Sequence, residues 1–96
     1  AMNDTTILKF DSAHAPVGSH GEKHLALSKH MAMRLWEEEP GDWKPPSRQE
    51  YETIGFVLEG SAELQSEGQT VTLQGGDSWV VPRGAEHRYR IVKHFR

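Results

Sequence analysis

The run Gly75-Gly76-Asp77-Ser78-Trp79-Val80-Val81-Pro82-Arg83-Gly84-Ala85-Glu86-His87 constrains this chain more than any other stretch. Two turns bracket an apolar segment too short for a helix. Gly75-Gly76 before Asp77 permits a sharp reversal, positive φ included. Trp79-Val80-Val81 favours a strand. Pro82 presets φ for the next turn and Gly84 supplies backbone freedom. His87 then opens a second strand, Arg88-Tyr89-Arg90-Ile91-Val92. Turn, strand, turn, strand is the grammar of an antiparallel sheet.

The rest of the chain repeats it. Strands are expected over Thr5–Phe10, His24–Ser28, Tyr51–Leu58, Ala62–Gln65 and Thr70–Leu73. His30 to Glu38 has the composition of a helix, but Met31, Met33 and Leu35 alternate, which points to a strand. Residues 11–23 hold Pro16, Gly18, Gly21 and two histidines, and they read as a loop arm. Turn signals recur roughly every 8–12 residues, the pattern of an all-β sandwich or barrel.

Ninety-six residues make one domain, spanning 2–96 once Ala1 is set aside as a cloning remnant. With 35% apolar residues the core is thin, so a homodimer is expected. No cysteine is present, which excludes disulfides and thiolate chemistry. Nothing approaches the roughly 20 apolar residues of a membrane span, and with Asn3-Asp4-Thr5-Thr6 polar and no basic region before an apolar stretch, no signal peptide is expected. The expectation is a soluble cytoplasmic protein. The net charge is −3 and the basic residues are scattered, which speaks against a nucleic-acid partner.

The spacing G-x5-P-x-G-x2-H, from Gly76 through Pro82 and Gly84 to His87, resembles the second motif of the cupin superfamily. Tyr51 to Leu64, with its Val57-Leu58-Glu59-Gly60 turn, resembles the end of the first motif. The resemblance implies an antiparallel jelly-roll β-barrel and a metal-ligating histidine at His87. It does not imply one activity, because the fold hosts dioxygenases, isomerases, epimerases and binding domains.

The first motif usually reads His-x-His-x3-Glu-x6-Gly. Counted back from Gly60, its glutamate falls at Thr53 and its histidines at Gln49 and Ser47. Only His87 keeps a ligand. A divalent Fe, Mn, Ni or Zn ion normally takes three or four ligands from His, Asp, Glu or Cys. His87 with Gln49 makes at most a weak site, completed by water or by another histidine. His14, His20, His24 and His30 read as exposed loop residues or as an arm supplying ligands, and His94 reads as surface.

Strand parity would turn Ser47, Gln49, Tyr51 and Thr53 inward and Glu50 and Glu52 outward, unless a bulge slips the register. His87, Tyr89 and Ile91 share another face. Met33 and Leu35 would line the wall, with Trp36 or Trp79 as a cap. Arg48, Arg88 and Arg90 suit a carboxylate or phosphate, or outward ion pairs with Glu50 and Glu52. The resulting expectation is a barrel binding a small polar molecule through Gln49, Tyr51, His87 and Tyr89. The alternatives are a metal-dependent enzyme with a remodelled ligand set including His87, and metal-free acid–base chemistry between His87 and Tyr51.

Overall fold

The computed structural model describes residues 7–96. They fall into two units, one ending at Trp36 and one running from Glu37 to Arg96. Among the described residues the regular structure is strand, apart from a 3-10 turn at Ser12–His14.

In the first unit, β1 (Lys23–Leu27) pairs antiparallel with β2 (Ala32–Leu35), with a bulge between His24 and Leu27. The alternation of Met31, Met33 and Leu35 therefore outweighs helix propensity, although Met31 and Met33 stay 76% and 59% exposed. Residues 11–22 hold a 3-10 turn capped by Asp11, and Val17 bridges to Lys23, the first residue of β1. The strand expected over Thr5–Phe10 does not form where it is described. Thr5 and Thr6 lie outside the described residues, and Ile7–Phe10 is non-strand, with Ile7 93% exposed. Apolar residues make a strand only when a neighbour completes the ladder.

The second unit holds two sheets. β3 (Thr53–Phe56) pairs with β6 (Ser78–Val81), and β4 (Ser61–Ser66) lies between β5 (Gln69–Gln74) and β7 (His87–Lys93). Glu67 and Gly68 both have positive φ, 51° and 77°, which is the two-residue hairpin turn whose twist matches its strands. The strand expected from Tyr51 starts only at Thr53, because Arg48 to Glu52 runs without a ladder partner.

Register sorts the residues of β4 and β7 into two faces. Ala62 opposes Ile91, Leu64 opposes Tyr89 and Ser66 opposes His87 on the inner face. Ala62, Leu64, Leu73 and Ile91 are buried there, and Val57, Val81 and Phe95 complete the core. On the outer face Arg90 pairs with Glu63, and Arg88 Nε donates to Gln65 Oε1 at 2.6 Å. The Trp43 ring stacks under both guanidiniums, 4.5 Å from Arg88 and 5.2 Å from Arg90. The expected outward pairs with Glu50 and Glu52 are thus corrected. Arg48 meets Glu86 instead, at 3.4 Å, and β7's arginines meet their direct cross-strand neighbours.

The last residues return to the start of this unit. Glu38 and Phe95 exchange both backbone hydrogen bonds at 2.9 Å, and Arg96 N donates to Glu59 O at 3.1 Å. His94 sits between two carboxylates, with Nδ1 2.5 Å from Glu39 Oε1 and Nε2 2.8 Å from Glu37 Oε2. Glu37 first, and then Glu39, hold its imidazolium above the ordinary histidine range. A pKa raised on folding gives stability that is complete below about 6.5 and fades as pH rises through the folded value. The group is exposed, so the effect is small. The melting temperature should decline gently with pH above about 6.5, and His94→Gln should remove that part of the slope. A His94 ring titration at the ordinary value would contradict this.

Candidate functional site

The inner face of β7 carries the residues best placed for chemistry. An antiparallel bridge sets Ser47 opposite His87, with backbone hydrogen bonds of 2.8 and 2.9 Å. Directly opposed residues share a face, so the Ser47 hydroxyl reaches the imidazole. His87 is 7% exposed. Its Nδ1 lies 3.0 Å from Ala85 O, and a carbonyl only accepts, so Nδ1 carries the proton. Nε2 is left with a lone pair, which accepts from Ser47 Oγ at 3.4 Å.

Tyr89, two residues on, meets the His87 ring edge-on, with centroids 5.5 Å apart and planes at 87°. Its hydroxyl accepts from Trp79 Nε1 at 3.3 Å. Burial pushes the phenol above its ordinary range, and the Trp79 hydrogen bond opposes the shift. Trp79 belongs to the other sheet, so this bond ties β6 to β7.

Trp79 owes its seat to Gly55, its cross-strand partner. A Cβ at Gly55 would come 2.3 Å from Trp79 Cη2, so the indole lies across the space a side chain would fill. Gly55→Ala should displace the indole, break its bond to Tyr89 and cost about 1–3 kcal/mol. Near-ultraviolet circular dichroism reads this directly. An unchanged spectrum in that variant would contradict the packing.

Beside His87 opens a groove of about 420 Å³ whose lining includes Arg48, Gln65, Ser66, Glu86 and Arg88. Its lining holds both donors, Arg48 and Arg88, and acceptors, Gln65 and Glu86, which suits a small polar molecule held by hydrogen bonds.

Of the residues expected here, His87 and Tyr89 come together. Gln49 is half-buried, and its carbonyl accepts from Gly84 N at 2.9 Å, pinning the turn before His87. Tyr51 is 48% exposed and sits in the irregular segment 48–52, where strand parity does not apply. The inward Tyr51 is thus corrected. Glu50 and Glu52 are exposed, so no register slip brings Glu52 inward. The sequence reading missed Gly55, although a glycine inside an apolar strand is a signal of close approach.

The donor facing His87 Nε2 is a hydroxyl. Among the described residues, His, Asp and Glu ligand atoms gather in a group of three only at Glu37, Glu59 and His94. His14, His20, His24 and His30 belong to the first unit. The residues at the first-motif positions therefore do not fit a divalent ion held by three or four protein ligands.

A family model described as "Cupin domain" matches residues 34–94. The structure of KdgF from Halomonas sp. superposes with a TM-score of 0.80 at 21% identity, covering 94% of this chain and 86% of that one. A protein of unknown function from Rhizobium leguminosarum bv. viciae 3841 gives 0.77 at 20%, covering 95% and 91%. A cupin superfamily protein from Desulfitobacterium hafniense gives 0.70 at 22%, covering 77% and 68%. At these identities the likeness is one of fold, all-β and of the antiparallel jelly-roll barrel class. No curated protein matches the chain.

Proposed function

The chain belongs to the cupin domain family, and from that premise we propose that it is a binding module for a small polar molecule at the groove beside His87. The observation that carries this reading is the partner of His87 Nε2, the Ser47 hydroxyl, where a metal-dependent site would set carboxylate or imidazole. A ligand donor would replace the Ser47 hydroxyl, 3.4 Å away, at the His87 Nε2 lone pair, and Arg48 and Arg88 line the same groove with donors. Tyr89 holds the imidazole edge, while Gln49 and Tyr51 belong to the segment bordering the preceding turn.

The test is a thermal-shift and calorimetric panel of hydroxy acids, sugar acids and nucleotides, run on metal-free protein. At least one compound should bind the wild type, and His87→Ala should weaken it at least tenfold. Equal binding to His87→Ala would remove the proposal.

A metal-dependent cupin enzyme of dioxygenase, isomerase or epimerase type is the second reading, with His87 and Gln49 ligating Fe, Mn, Ni or Zn. One observation favours it. The Ala85 carbonyl holds the Nδ1–H tautomer, the arrangement that orients a ligating imidazole. The hydroxyl at Nε2 tells against it, so no catalytic step is assigned. A metal ion at one per chain that disappears in His87→Ala would establish this reading over the first.

A homodimer is part of the proposal. Ile54, Phe56 and Val80 share one face of the β3–β6 pair and are 76%, 60% and 55% exposed. A second copy is the natural cover for such a face. Light scattering should give about twice the 10.9 kDa chain mass, and Ile54→Lys should return the monomer.

A further inference from the structure

We propose that Glu37, Glu59 and His94 form a divalent cation site of the zinc class, separate from the groove at His87. Their ligand atoms lie within 4.8 Å of one another, and the backbone puts them there. Glu38 and Phe95 form an antiparallel bridge, so their neighbours Glu37, Glu39 and His94 project from the opposite face. Glu59 is carried in by its own backbone bond from Arg96. Three separate segments thus deliver one ligand each. Their backbones are fixed by ladder bonds and by Phe95, which is 1% exposed.

The set has the chemistry zinc prefers. One imidazole nitrogen and two carboxylate oxygens make three protein ligands, leaving a position for water. The second imidazole nitrogen is also provided for. Glu39 Oε1 lies 2.5 Å from Nδ1, the outer carboxylate that fixes the tautomer and strengthens a ligating histidine. Nε2, 2.8 Å from Glu37 Oε2, is then the ligating atom. An arriving ion displaces the proton shared across that contact. Three carboxylates around one imidazole leave a net negative field, which draws a dication.

His87 opens β7 and His94 directly follows its last residue, Lys93, so the two stand roughly 20 Å apart at strand rise. The proposal does not rest on the reading of the groove, and either can fail alone.

The test uses Zn²⁺ itself. EDTA-stripped protein is titrated calorimetrically, and the His94 ring signals are followed by NMR. One Zn²⁺ per chain should bind and shift those signals. Glu59→Gln and His94→Gln should each weaken binding at least tenfold, and Glu39→Gln should weaken it less. Glu59 is exposed, so Glu59→Gln should melt with the wild type when metal is absent. Undiminished binding in Glu59→Gln and His94→Gln would assign the ion to other histidines and overturn the site. So would loss of the ion in His87→Ala with retention in Glu59→Gln, and so would the absence of saturable binding.

Discussion

Gly60→Ala should lower the unfolding free energy by about 3 kcal/mol or more, a fall in melting temperature of roughly 12–24 °C. Two causes add. Gly60 has φ +88°, a conformation that costs an L side chain about 1–2 kcal/mol. A Cβ there would also stand 1.8 Å from His94 O and 2.6 Å from His94 C. The obstacle is backbone, so no rotamer change relieves it. Relief requires Leu58, Glu59 and Arg96 to give up their hydrogen bonds. Gly41→Ala is the control, since nothing lies within 4 Å of its Cβ and its φ is not positive. Urea unfolding of the two variants checks this. A Gly60→Ala midpoint equal to that of Gly41→Ala would show that the close approach is wrong.

Phe95→Ala should cost about 3–5 kcal/mol. Phe95 is among the largest fully buried side chains, and its ring tilts against Trp79 with centroids 6.4 Å apart. Truncation leaves a cavity beneath the indole that Gly55 seats. In a domain of this size that is a large share of the total stability. The two variants should also fail to add. Both act on the docking of His94, Phe95 and Arg96, and once that docking is lost the second change has little left to remove. A double variant destabilised by the full sum would mean that the two positions act independently.

Much of the β architecture was readable because its signals are local. The turns at Glu67-Gly68, Gly75-Gly76 and Pro82-Arg83-Gly84 each hold a residue suited to positive φ, and they separate β4 from β5, β5 from β6 and β6 from β7. The inner face of β7 followed from period-two spacing, and His87 and Tyr89 meet as that spacing requires. Parity failed at Ser47 to Thr53 for a physical reason. Alternation holds only in a paired, extended strand, and Arg48 to Glu52 is not one. Ser47 reaches His87 all the same, through a bridge that no count along the chain reveals. The cluster at His94 was illegible for the same reason. Glu37 and Glu39 sit two apart, but their partner lies 57 and 55 residues away, and only the Glu38–Phe95 pairing makes them neighbours.

That long-range closure carries a kinetic consequence. The β4–β5 hairpin closes through two residues and can form early, whereas the contact of His94 with Glu37 spans 57 residues. Closing so long a loop loses chain entropy before it gains contacts, so this docking should form after the main barrier to folding. Gly60→Ala and Phe95→Ala should then quicken unfolding while leaving the refolding rate nearly untouched. In a chevron plot the unfolding arm should rise for both variants. A slowed refolding arm would place the docking inside the nucleus instead.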